Sequence, residues 1–193
     1  MHFKISILSA LAIALPISAF ADTLLVNTGD VNGQMAMASR PDSSGKIEIE
    51  AADDFVLGSS ALVTSGTFTG LVPAGFSVTG VTVEIYRVFP ADSNTPPSGN
   101  VLTRANSPSD VAFASRISGT DLNFTTTVLN PNFTAANSVL NGINKSPNQT
   151  TGGEGPVSGQ EVQFSFTLTS PFSLAADHYF FVPQVQLSSG DFY

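Results

Sequence analysis

Val162-Gln163-Phe164-Ser165-Phe166-Thr167-Leu168-Thr169 sets an apolar side chain against a polar one at every step. A β-strand turns successive side chains to opposite faces. Val162, Phe164, Phe166 and Leu168 therefore share one face, and Gln163, Ser165, Thr167 and Thr169 the other. This is the pattern of an antiparallel strand with one face on a core and one toward water. Val81, Val83 and Ile85 repeat it against Thr82, Glu84 and Tyr86, and Lys46-Ile47-Glu48-Ile49-Glu50 is a shorter copy. Near the end, Tyr179, Phe181, Val185 and Leu187 share a face.

Outward from these segments the chain is rich in Thr, Ser, Gly, Asn and Val, a composition that favours strands joined by turns. Strands are predicted near 23–27, 46–50, 54–57, 61–69, 76–89, 122–129, 160–169 and 178–187. Pro73-Ala74-Gly75 and Asn130-Pro131-Asn132 read as turns, and 90–100 and 144–159 as longer loops. Two segments carry helical signals. Ser107-Pro108-Ser109-Asp110 has a capping serine, a proline at the first helical position and an acid where a capping box needs one, so 111–117 reads as two helical turns or as another strand. Thr134 to Leu140, with Gly142 as a stop, is the second. The fold expected is all-β, an antiparallel β-sandwich or jelly-roll-like domain with at most one or two short helices.

The first 21 residues have the layout of a cleavable export signal. Lys4 is followed by an apolar run from Ile5 to Ile17, and Ala19 and Ala21 are the small residues before the cleavage point. The run is shorter than the roughly 20 residues that span a bilayer. The expectation is one sandwich domain over 22–193 that is exported to the extracellular space or cell surface, with the periplasm also open. The chain stops on Asp191-Phe192-Tyr193 without a polar tail, and since termini usually end in polar residues a further strand or anchor beyond it is expected, the alternative being a terminus tucked into the sheet.

Lys4 is one of seven basic residues and the leader holds no acid, so six basic and fifteen acidic residues remain, a formal charge of −9. Such a chain is repelled by phosphate backbones and anionic lipid, which argues against nucleic acid as a partner. No stretch after the leader is long and apolar enough for a membrane helix, so no membrane insertion of the mature chain is expected. There is no cysteine. Disulfides, a lipid-bearing cysteine and thiolate metal sites are thereby excluded, and the fold depends on core burial.

Chemistry-bearing patterns are few. His178 is the one histidine after the leader, so any Ser-His-Asp triad has to pass through it, and no G-x-S-x-G elbow is present. Its position beside Asp177 at a strand start fits an ordinary strand-edge histidine better. Glu48 and Glu50 lie on one strand face as neighbours, and Glu84 belongs to another strand. Asp53 and Asp54 form the most suggestive acidic pair: adjacent acids at a strand start supply oxygen ligands to calcium, or simply end a turn. No other cofactor is expected. Tyr86, opposite Val83 and Ile85, is expected to be exposed or paired across strands.

Ala52-Asp53-Asp54-Phe55-Val56-Leu57 and Gly80-Val81-Thr82-Val83-Glu84-Ile85-Tyr86, with Asn106-Ser107-Pro108-Ser109-Asp110, resemble a segment of exported bacterial β-sandwich proteins. Many of these carry an A-D-D-F stretch and belong to the exosortase-sorted group with a terminal PEP-CTERM anchor. The resemblance spans about residues 50–120. It implies a surface or matrix location and brings no catalytic residues. The chain lacks the Pro-Glu-Pro signal, terminal membrane helix and basic end of the anchored group. The function expected is a non-enzymatic structural or adhesive role, with extracellular glycans or surface and matrix proteins as partners. The alternatives are a glycan-binding module stabilised by calcium, and a carboxylate-based polysaccharide hydrolase or lyase.

Overall fold

The computed structural model describes residues 26–43, 45–93, 106–141 and 152–193. The leader at 1–21 lies outside these residues, as do 23–25 of the first expected strand, 94–100 of the first long loop and 144–151 of the second. The strands are β1 (Met35–Met37), β2 (Asp53–Val56), β3 (Ala61–Val72), β4 (Val78–Arg87), β5 (Ala114–Ile117), β6 (Leu122–Ala135), β7 (Asn137–Val139), β8 (Val157–Leu174) and β9 (His178–Leu187). No helix occurs among the described residues.

Two antiparallel sheets pack face to face as a β-sandwich. One has the order β2-β9-β4-β5 and the other β3-β8-β6; β1 and β7 form a small parallel pair apart from both. The alternation that predicts the sandwich also builds its core. Val162, Phe164, Phe166 and Leu168 of β8 are buried, as are Val81, Val83 and Ile85 of β4, and Tyr179 and Val185 of β9 join the same cluster. Phe68 stacks on Phe164 with ring centroids 4.8 Å apart, Phe166 stacks on Phe181 at 6.1 Å, and Phe192 meets Phe164 edge-on at 5.4 Å. Burying aromatic surface from both sheets supplies the cohesion that a chain without disulfides needs.

The strand alternative holds within 111–117, and the helical expectation for 134–140 is corrected. Residues 114–117 form β5, paired with β4 from Thr82↔Ile117 to Ile85↔Ala114, while Pro108 bridges to Val88 and the Ser109 hydroxyl accepts from Asp92 N at 3.2 Å. An available sheet edge outweighs the weak local capping preference. Residues 134–140 end β6 and form β7, with Thr134 opposite Ser158 and their hydroxyls 2.7 Å apart. Asn130-Pro131-Asn132, expected as a turn, lies within β6 where the register against β8 shifts. Residues 46–50 are not a full strand: they hold to the chain before them by the bridges Ser43↔Lys46 and Arg40↔Ile49.

The last residues of the sequence enter the fold. Phe192 is 3 % exposed within the core, and Tyr193 exchanges backbone hydrogen bonds with Leu71 at 2.5 and 3.1 Å.

Candidate functional site

The middle of β9 is buried on both faces, and β4 beside it is half-covered on its outer face. Opposite the core, the pairs Thr82↔Gln184, Glu84↔Val182 and Tyr86↔Phe180 line the outer face. Tyr86, Phe180 and Val182 form a second apolar cluster there with Val88 and Ala112. The segment 39–51 is fastened beside it. The Ser39 hydroxyl donates to Pro183 O at 2.7 Å, Val185 N donates to Ser39 O at 3.3 Å, and Ala51 N donates to Ser39 Oγ at 3.2 Å. Arg40 and Ile49 exchange backbone bonds at 2.8 and 3.0 Å, which returns the chain over the sheet. Tyr86 is therefore buried and stands across from Phe180, which corrects the exposed alternative and bears out the cross-strand one.

This return places Glu48 and Glu50 above Glu84. Each carboxylate offers an oxygen within 4.8 Å of the other two, the only such trio of acid, histidine or cysteine ligands among the described residues. Two like unit charges at about 4 Å repel by about 1 kcal/mol in bulk water and by several-fold more where solvent is partly excluded. Three contacts hold the group together. The Gln184 amide nitrogen donates to Glu48 Oε1 at 2.6 Å, and the Tyr86 hydroxyl is bonded to Glu50 and lies 3.1 Å from Glu84 Oε2. Much of Glu50 faces solvent, but its carboxyl is desolvated where it meets Tyr86. That burial raises its pKa above the usual carboxylate range; the Glu48 and Glu84 charges add to the rise and the Tyr86 bond opposes it. Burial likewise raises the Tyr86 phenol, helped by its bond to Glu50. Gln184 is 1 % exposed, and its amide oxygen has no hydrogen-bond partner.

The chain matches no protein-family model, no curated protein and no solved structure.

Asp53 and Asp54, the acidic pair that the sequence offers to calcium, begin β2 and lie outside the trio. Asp54 Oδ2 is 2.8 Å from His178 Nε2 and 3.5 Å from Asn106 Nδ2, and Asp54 N donates to Asp53 Oδ1 at 3.0 Å. The bond from His178 is the main cause of an Asp54 pKa held below its ordinary value, with Asn106 second. His178 stacks on Phe180 at 5.6 Å, which occupies a ring face as well as a ring nitrogen. Neither of two shallow depressions is lined by any of these carboxylates. One is bounded by Arg87, Ala91, Asp92, Val111, Ala112 and Phe113, the other by Arg40, Pro41, Ser43, Lys46 and residues 185–190.

Tyr86 and Gln184 are the members that sequence reasoning misses. A usable signal lies in His178-Tyr179-Phe180-Phe181-Val182, where apolar residues occupy both parities. Such a run marks a strand covered on both faces, so the polar residue that follows on the second face is buried with it.

Proposed function

We propose that the protein is a non-enzymatic β-sandwich, exported to the cell surface or beyond, with a structural or adhesive role. The observation that supports this best is that, among the described residues, the acids Glu48, Glu50, Glu84 and Asp54 and the histidine His178 are engaged over one sheet face instead of facing a partner across a cleft. Gln184 holds Glu48, Tyr86 holds Glu50 and Glu84, and His178 holds Asp54. Glycoside hydrolysis needs two carboxyls on opposite sides of the sugar, separated by about 5–10 Å with room for the ring between them. Glu48 and Glu50 leave one segment side by side, which favours a structural role over a hydrolytic one. The resemblance of 52–57 and 80–86 to exported surface sandwich proteins is in keeping with the same reading, as is the export-type leader.

The test is to offer the purified protein a panel of polysaccharides and esters. Turnover no greater than that of a Glu50→Gln, His178→Ala double variant is expected. Turnover by the parent that the double variant loses overturns the proposal. Recovery of the protein outside the cell, beginning at Asp22, is the expected outcome for its location; retention of residues 1–21 counts against it.

A second reading, a glycan-binding module, is favoured by one depression. There Phe113 is exposed beside the Arg87–Asp92 ion pair, whose Nε–Oδ2 bond is 2.8 Å. The Arg87 guanidinium lies over the Phe113 ring at 4.9 Å, and the exposed remainder of the ring with the planar polar pair offers an apolar contact and partners for hydroxyls. Retention of a glycan that Phe113→Ala abolishes would support it.

A further inference from the structure

We propose that Glu48, Glu50, Glu84 and Gln184 form a calcium-binding site on the outer face of the four-stranded sheet. This site is separate from the Asp53–Asp54 pair, and it stands whether or not the domain is adhesive.

Two independent observations carry the inference. The first is spacing. Two oxygens that share one ion at about 2.4 Å stand no more than about 4.8 Å apart. The three carboxylates meet this limit pairwise, each with an oxygen within 4.8 Å of the others. They arrive from separate parts of the chain: Glu48 and Glu50 from the segment that returns over the sheet, Glu84 from β4. The second observation is the Gln184 amide oxygen, buried with its side chain 1 % exposed and without a hydrogen-bond partner. Buried polar atoms are nearly always satisfied, so an orphan of this kind points to a missing partner. The nitrogen of the same amide is 2.6 Å from Glu48 Oε1. The two ends of a carboxamide lie about 2.2 Å apart, so the orphaned oxygen is within about 5 Å of the Glu48 carboxylate. The terminal amide torsion is broad and roughly two-fold, so the oxygen can replace the nitrogen at an ion, with the ion taking over Glu48 from the Gln184 N–H.

The donor set selects the metal. All four groups offer oxygen, with no imidazole or thiolate among them, which suits a hard cation and not zinc. Three carboxylates and an amide carbonyl, some of them bidentate, approach the six to eight oxygens that calcium takes in flexible geometry. Magnesium prefers a near-ideal octahedron, with several waters and one or two carboxylates. Tyr86 acts as a positioning residue: its hydroxyl donates to Glu50 and lies 3.1 Å from Glu84 Oε2, between the two carboxylates.

The experiment follows thermal unfolding of the protein during titration with calcium chloride, with magnesium chloride and sodium chloride at matched ionic strength as parallel arms. Isothermal calorimetry reads the affinity directly. Calcium is expected to raise the melting temperature in a saturable way, more than magnesium and far more than sodium. Glu84→Gln keeps the side-chain shape and is expected to weaken calcium binding by about tenfold or more, with the far-UV spectrum unchanged. Glu48→Gln gives a second variant in case the first fails to fold. Asp54→Asn is expected to leave the calcium response intact. The proposal is overturned by the absence of a calcium shift, by an equal shift with magnesium or ionic strength alone, by a full shift in both glutamine variants, or by loss of the shift in Asp54→Asn.

Discussion

Asp54 and Tyr86 occupy opposite ends of what local pattern reveals. Asp54 is visible as half of an acidic pair, yet its partners, His178 and Asn106, are set by tertiary pairing that no spacing encodes. Parity assigns Tyr86 to the correct face, but its burial depends on a segment some forty residues earlier that folds across it. The Asp54 environment has a consequence for pH. Its pKa is lower in the folded protein than the ordinary 3.8, so the native state gains stability from the ionised carboxylate above that value. The gain is lost as pH falls through the depressed folded value. Asp54→Asn is therefore expected to melt at a lower temperature than the parent at pH 5, with the gap closing below pH 3.8. The effect is small, as for other exposed pairs. A gap that widens in acid contradicts this assignment.

The strands with strict alternation, β4 and β8, are legible because the core presses on one face and period 2 records it. Residues 46–50 have the same alternation but lack a neighbour along their length, and Ile47 is 77 % exposed. Alternation marks which side chains share a face; pairing requires an edge that only the folded sheet provides. The helical signals at 107–117 fail for the related reason that β4 offers such an edge. Glycine in β3 tests how closely the elements meet. A Cβ on Gly70 would overlap the Phe192 ring and stand 2.6 Å from Tyr193 O. Gly70→Ala is expected to cost about 1–3 kcal/mol in urea unfolding, the range for overpacking a filled core. Because the sharpest clash is with the ring, combining it with Phe192→Ala should cost less than the two single changes added together. Strict additivity would place the strain elsewhere.

At the scale of the molecule, the class of fold is readable in the sequence and the strand order is not. Composition and alternation define two half-buried sheets, but many orders of nine strands satisfy the same pattern. The order adopted joins distant parts of the chain: Ala61 faces Leu174, and Asp53 faces Phe181. Non-local pairing of this kind makes folding slow, because loop closure has to precede the contacts that reward it. Stopped-flow refolding from urea is expected to recover the aromatic signal in milliseconds to seconds. Complete recovery within the instrument dead time would contradict the strand order described.

β9 lies between β2 and β4 even though it comes last of the nine strands among the described residues. During synthesis the four-stranded sheet thus has a gap at its centre until Leu187 has left the ribosome. β2 has no other partner in that sheet and β4 has only the short β5, so nascent chains have to wait, open and unpaired on that side, for this segment to arrive. A message halted before the codon for His178 yields a polypeptide that cannot close the sheet at all.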